Sequence, residues 1–381
     1  MSRLSWLSSI LLLGALSPAA SVAQDVGSAF YVRVDSDHTT VVTPRVHAQA
    51  PVDDATRVDV SYSMDIWSSA SVDITSSASA PVTERRDEIN ASLSHDFTDT
   101  RLSVGYRYSH EPDYDSHFVS AGLSFDLANK SATLDVGGGV SFDDVGRVGY
   151  PSFQESLTTY TGQLSFTQIL DPKTFLQAVY SINYADGYQS SPYRYIGVGS
   201  WNGACGGPPE VHVEIGSLEA PGLEFCLPEK NPEQRLRHAF VISAARALGE
   251  TWSTKLSYRF YIDSWELMSH TALAELNWLA SAETLLSLRY RFYLQTAAFH
   301  YRSTFPTIDN LREYYTRDKE LSPFSAHRLA LELEENWPLA GAGQKLQAIV
   351  SVGPTVYLYD DFVPYQRIFA FEATISGVLV L

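Results

Sequence analysis

The side chains able to do chemistry in this chain are charged groups that alternate with apolar ones. Arg289 and Arg291 alternate with Leu288, Tyr290 and Phe292; Arg259 stands between Tyr258 and Phe260, and Arg328 precedes Leu329. Acids occupy the same setting: Asp59 lies between Val58 and Val60, Asp65 between Met64 and Ile66, and Glu332 and Glu334 flank Leu333. Guanidinium and carboxylate groups so placed bind ions, polar solutes or each other. Tyr261 and Tyr293 fall on the same polar faces and add hydroxyls, with rings on which sugars stack.

Covalent chemistry has less support. A nucleophile needs a base and an orienting group, yet the chain has no Gly-x-Ser-x-Gly and its histidines lie mainly in loops or at strand ends. His95, His238 and His270 are the formal catalytic candidates, with a girdle or lumen position as the plainer reading. The run His110-Glu111-Pro112-Asp113-Tyr114-Asp115-Ser116-His117 clusters donors for a divalent ion but lacks the glycine and ligand rhythm of a calcium loop, so a solvated acidic turn is the better reading. Gly137-Gly138-Gly139 sits inside a strand pattern, where it relieves crowding or bends the sheet. No enzyme and no cofactor are expected.

The elements that must position these groups are strands. From Leu286 to Leu294, Leu286, Leu288, Tyr290, Phe292 and Leu294 take one face and Ser287, Arg289, Arg291 and Tyr293 the other, a period of two. The pattern recurs over 28–36, 39–50, 56–67, 85–97, 101–110, 115–127, 131–142, 155–169, 174–185, 234–247, 252–263, 266–279, 284–296, 325–336, 344–359 and 364–381. Compact connections, such as Thr98-Asp99-Thr100, Ala128-Asn129-Lys130 and Asp171-Pro172-Lys173, alternate with mostly long ones at 68–84, 143–154, 186–233 and 297–324. That asymmetry is expected of an outer-membrane barrel, with short periplasmic turns and longer extracellular loops. The chain therefore reads as all-β, a transmembrane antiparallel meander β-barrel of about 16 strands, with 18 or 14 as alternatives. Trp252, Trp278 and Trp337 fall beside the periplasmic turns and Trp67 and Trp265 at the outer ends, as two interfacial girdles require.

The ends and composition agree with export. Arg3, an apolar run from Leu4 to Leu16 and small residues ending Ser21-Val22-Ala23 read as a secretory signal over 1–23, leaving 24–381 as the barrel. No later stretch approaches the roughly 18 apolar residues of a membrane helix. The net charge of −17 argues against nucleic acid as a partner. Cys205 and Cys226 both lie in the 186–233 loop, and an oxidising compartment makes a disulfide between them the expectation. Closing that loop would stabilise by about 3 kcal/mol in the chain-entropy model. Free thiols or a metal pair are the alternative, without partners at zinc spacing.

Residues 65–86, Asp-Ile-Trp-Ser-Ser-Ala-Ser-Val-Asp-Ile-Thr-Ser-Ser-Ala-Ser-Ala-Pro-Val-Thr-Glu-Arg-Arg, resemble an uncharacterised family of bacterial outer-membrane barrels. Its members carry a Ser-Ala-Ser-rich loop running into Thr-Glu-x-Arg after the third strand. The local match runs from Arg57 to about Tyr108, and the meander layout covers the whole chain. The resemblance implies fold and location; the family has no assigned reaction. The closing alternation Phe369, Phe371, Ala373, Ile375, Gly377, Leu379 and Leu381 resembles a barrel-assembly signal, although the usual terminal aromatic is here Leu381.

A lumen lined by Asp59, Asp65, Glu332, Glu334, Arg259, Arg289, Arg291, Arg328, Tyr261 and Tyr293 makes a channel for a polar solute or polymer the leading expectation, with polysaccharide export as its specific version. A scaffold barrel enclosing a partner protein and an outer-membrane hydrolase are the alternatives. The 186–233 loop is the candidate plug. Expected partners are outer-membrane lipid and lipopolysaccharide, the barrel assembly machinery, and a polysaccharide or periplasmic export protein.

Overall fold

The computed structural model describes residues 25–69, 82–199, 225–307, 312–339, 344–362 and 365–381. The first strands are β1 (Asp25–Asp35), β2 (Thr39–Pro51), β3 (Thr56–Ser69), β4 (Val82–Asp96), β5 (Thr100–Glu111) and β6 (Tyr114–Leu127). There follow β7 (Ala132–Val145), β8 (Glu155–Asp171), β9 (Thr174–Gly187), β10 (Tyr195–Val198), β11 (Phe225–Pro228) and β12 (Gln234–Ala247). The last are β13 (Trp252–Asp263), β14 (Met268–Leu279), β15 (Thr284–Gln295), β16 (Phe324–Pro338), β17 (Lys345–Tyr359) and β18 (Arg367–Val380). Sixteen of these close into an antiparallel barrel in chain order, with β9 beside β12 and β1 sealed to β18 from Asp25↔Val380 to Asp35↔Ala370. Each expected strand is present within a few residues. The β10–β11 hairpin was not expected: two strands of four residues are too short to show a period.

Alternation decides which way each side chain points. Leu288 is 41% exposed and its neighbour Ser287 only 4%. Leu256, Leu331 and Ile375 are likewise exposed, whereas Ser61, Ser141, Ser165 and Ser243 are buried on the inner face. A protein stabilised in water would invert this arrangement. In lipid it is the stable one, because closure satisfies every strand's backbone and leaves no edge.

Aromatic side chains mark the two limits of the apolar band. At the end of the short turns, Trp252 stacks on Trp278 with ring centroids 5.7 Å apart, and Trp337 is exposed at the same end of β16. At the other end, four tyrosines each bond a histidine on the next barrel strand: Tyr106 to His117 (2.7 Å), Tyr180 to His238 (2.9 Å), Tyr258 to His270 (2.6 Å) and Tyr290 to His327 (2.8 Å). Every pair is diagonal across its ladder, the tyrosine lying two positions inward from the residue opposite the histidine. Tyr62 and Asp87 repeat the geometry on β3 and β4 at 2.5 Å. His270 and Trp278 share the outward face of β14, eight residues apart. At about 3.3 Å per residue and a tilt near 40°, that separation spans roughly 20 Å of membrane normal, close to the apolar height of such barrels.

The two outer tryptophans do not take the expected girdle positions. Trp67 lies on the inward register of β3, between outward Ile66 and Ser68. Trp265 is 3% exposed in the β13–β14 turn and folds over the barrel mouth, its indole N–H donating to the Gln234 carbonyl at 3.0 Å. The outer interface is served by the Tyr–His pairs instead.

The triple glycine has a packing reason at two positions, since a Cβ on Gly138 would sit 2.8 Å from the Thr161 carbonyl and Gly139 is tighter still. A Cβ on Gly139 would sit 2.5 Å from Cζ of Phe118 and 2.5 Å from the Val119 carbonyl. The bare backbone admits the Phe118 ring into the lumen, where the Arg107 guanidinium lies 4.9 Å above it.

Candidate functional site

The outer mouth of the barrel is covered by a folded cap. Ile196 and Val198 of β10 pack with Phe305, Leu227 and Tyr315, while Trp265 and Leu267 pack with Ala298, Tyr301 and Leu321. Backbone bonds knit the segments together: the amides of Lys230 and Tyr315 donate to each other's carbonyls at 3.0 and 2.9 Å, and Gly199 donates to Phe305 at 2.9 Å. The described parts of the expected plug, 186–199 and 225–233, thus belong to the cap, together with described residues of the 297–324 loop and the β13–β14 turn.

Ties to the rim run around the ring. Lys319 Nζ meets Asp37 between β1 and β2 at 2.7 Å; the Tyr193 hydroxyl donates to Asp113 between β5 and β6; Arg147, after β7, donates to the Tyr195 hydroxyl at 2.9 Å. Beside the first of these, at the β17–β18 connection, the hydroxyls of Tyr301 and Ser303 donate to the carbonyl and carboxylate of Asp361 at 2.5 and 2.6 Å. All of these are polar contacts, which water can replace at small net cost.

Burial perturbs the cap's titratable groups. Desolvation raises Glu229, against the pull of Arg194 at 3.7 Å; the carboxylate accepts from the Ser191 amide at 2.6 Å and the Thr316 hydroxyl at 2.7 Å. Arg194 also pairs with Asp318 at 2.6 Å. His300 is pushed down to about 4, first by burial and then by Arg235, so its ring is neutral at pH 7 and bonds Asn231 at 2.9 Å through Nε2. Burial likewise pushes Tyr188 up to about 12.

By strand alternation the expected lining residues share the register of the buried inner-face residues, and their charges sort by partner. Arg289 bridges Glu275 at 2.7 Å and Glu332 at 2.8 and 2.9 Å. Arg328 pairs with Glu372 at 2.9 Å; Asp65 accepts from Arg86 and from Thr43. Glu334 accepts from Asn336 at 2.9 Å and Gln347 at 2.6 Å. Asp59 lies on the inward register of β3 opposite Gln49. Most of these groups therefore neutralise one another, between neighbouring strands or, for Arg328 and Glu372, across β17.

Directly beneath the cap the balance changes. A cavity of about 420 Å³ is lined by Arg235, Arg237, Arg259, Tyr261, Ser269 and Tyr293 from the wall and by Gln189, Asn231 and Trp265 from above, with further residues from both. Arg235 is held by Asp263 at 2.5 Å and lies 4.0 Å over the Trp265 ring. Arg237 donates to Asn183 at 2.7 Å. Arg259 lies 5.3 Å over Tyr261 and Arg291 lies 5.7 Å over Tyr293. Arg235 and Arg237 could have been added from sequence, since both alternate with outward Leu236 and His238; the cap residues carried no such signal.

The remaining candidates separate clearly. His238 and His270 face outward in Tyr–His pairs, and His95 bonds the Thr56 hydroxyl at 2.8 Å. In the acidic turn, His110 and Tyr108 share Asp115 at 2.8 and 2.7 Å while Asp113 turns to the cap, and no metal-holding group is found among the described residues. The Ser-Ala-Ser loop at 70–81, residues 1–24 and Cys205 lie outside the described residues. No free cysteine occurs among those described.

A closed sixteen-stranded meander, apolar and ring-banded outside and polar within, is a β-barrel of the outer-membrane type. Residues 75–159 and 150–351 match the model of a family described as protein of unknown function (DUF3570), and the chain belongs to that family. No curated protein matches it. Among solved structures it is similar to a bacterial polysaccharide outer membrane secretin, at 8% identity over 94% of this chain and 98% of that one, with a TM-score of 0.51. Looser likenesses are OprD of Pseudomonas aeruginosa (9% identity, 94% and 95% covered, TM-score 0.45) and the toluene transporter TodX of Pseudomonas putida (9%, 95% and 90%, 0.41). At these identities the likeness is one of fold alone.

Proposed function

We propose that this protein is an outer-membrane channel for a polar solute or polymer, closed at rest by its cap. The observation that carries the reading is the cap's fastening: a small apolar core held to the rim by hydrogen bonds and ion pairs such as Lys319–Asp37. A sixteen-stranded barrel is wide enough for an aqueous path unless a loop obstructs it, and a roof so fastened can lift without breaking the wall. Export of polysaccharide is the polymer version of this reading. It takes its direction from the secretin likeness, and a periplasmic export protein would then meet the short-turn side. The reading includes a secretory signal over 1–23 and a Cys205–Cys226 disulfide.

Planar-bilayer recording of the refolded protein tests it. Wild type is expected to show rare openings, and Lys319→Gln, which leaves Asp37 without this cation, to open far more often at the same unit conductance. Absence of current from both proteins, each confirmed as a barrel by heat-modifiable gel mobility, overturns the channel reading in favour of a scaffold.

A further inference from the structure

Three guanidinium groups near the cap, those of Arg237, Arg259 and Arg291, form no salt bridge with a carboxylate among the described residues. The chain has 44 acids against 27 bases, and its deeper lumen pairs Arg289 and Arg328 with carboxylates. Of the nearby acids, Asp263 is taken by Arg235 and Asp318 by Arg194, and Glu320, which also lines the cavity, forms no salt bridge with any of the three. We infer that the cavity beneath the cap is a binding site for an acidic saccharide, a sugar residue bearing a carboxylate. The inference rests on the channel reading for its purpose but not for its binding.

The chemistry fits on both counts. Arg259, in the cavity lining, lies over the Tyr261 ring, and Arg291, not itself in the lining, lies over the ring of Tyr293, which is; each ring holds its guanidinium plane and leaves the N–H edge to grip a carboxylate in the two-pronged manner of arginine. Beside Leu157, Leu267, Leu321 and the carboxylates of Asp318 and Glu320, the lining offers the amides and hydroxyl of Gln189, Asn231, Ser269 and Gln295, groups that exchange hydrogen bonds with sugar hydroxyls. The Oε1 atom of Gln189 is buried without a hydrogen-bond partner, an acceptor awaiting a hydroxyl donor. The volume of about 420 Å³ lies in the range of small-ligand sites. Trp265 at the edge gives the site a reporter.

The test separates binding from conduction. Oligogalacturonate and a neutral malto-oligosaccharide of equal length are titrated against the detergent-solubilised barrel while tryptophan emission is followed, with Trp265→Phe as the control that removes the signal. Wild type is expected to bind the acidic oligomer about tenfold more tightly or better, the ratio given by one charge-assisted contact. Arg259→Gln with Arg291→Gln should reduce the preference below about twofold while heat-modifiable mobility is kept; Arg237→Gln alone should reduce it partly. Equal affinity for both oligomers, or a preference untouched by the double variant, overturns the site even if the protein conducts. A preference that is present and lost in the variant upholds it even if no current is seen.

Discussion

His300 makes the cap sensitive to acid. With the cap closed its imidazole is neutral, with a pKa of about 4, because it is 3% exposed and faces the field of Arg235. With the cap open the ring returns to a value near 6.5. The closed state then binds fewer protons than the open one between these values. Its contribution to closure is full above pH about 6.5 and is lost as pH falls toward 4. Between pH 7 and pH 5 the loss is about 2 kcal/mol, or roughly 25-fold in the ratio of open to closed. Glu229 works the other way, since a raised carboxyl favours closure as pH falls. The imidazole is therefore isolated by comparing wild type with His300→Gln, which keeps an amide to meet Asn231. Hydrogen exchange of peptides from 296–323, corrected for intrinsic rate, should lose protection on acidification in wild type by about 2 kcal/mol more than in the variant. The same pH response in both proteins refutes the argument.

Three further outcomes follow from the wall. Gly139→Val sets a side chain against the Val119 carbonyl, which cannot yield as a side-chain tip can; the cost of at least about 1–3 kcal/mol should appear as a lower urea midpoint in vesicles or a loss of heat-modifiable mobility. Arg289→Gln leaves Glu275 and Glu332 without their shared cation, so reversal potentials in a salt gradient should move toward cation selectivity, with stability changed by no more than about 1 kcal/mol because the site is partly wet. His270→Phe and His327→Phe each remove a bond to tyrosine; each should cost about 1 kcal/mol in urea unfolding, and additively, since the two pairs sit on separate hairpins.

The barrel was legible because lipid imposes a simple code. Outward Leu286, Leu288 and Leu294 and inward Ser287, Arg289 and Arg291 follow from a period of two, and closure then fixes the strand count. Trp67 and Trp265 were misplaced for a reason of the same kind. Position at a strand end does not reveal which face a ring takes, and Trp265 is in a turn, where alternation has ceased to apply. The outer girdle was hidden in residues read singly: each histidine looked isolated until the diagonal tyrosine two positions away on the next strand came beside it.

The cap lay beyond such reading because its contacts are set by closure rather than by local pattern. Lys319 reaches Asp37 across 282 positions, and Glu229 meets Thr316 across 87; neither pair shares a strand or a period. They become neighbours only when β1 seals to β18 and the two loops are brought over one mouth. The division of charge has the same origin. Arg289 and Arg291 look identical in sequence, two residues apart on one face, yet Arg289 faces Glu275 and Glu332 on adjoining strands, whereas the residues opposite Arg291 are Leu273 and Arg328. Register, not composition, neutralises one guanidinium and leaves the other to a ligand. Introducing a carboxylate at that register, Leu273→Glu, should therefore pair Arg291 as Arg289 is paired and weaken acidic-oligomer binding without removing any arginine. Unchanged binding in Leu273→Glu, with the barrel intact, would show that Arg291 does not contribute to the site.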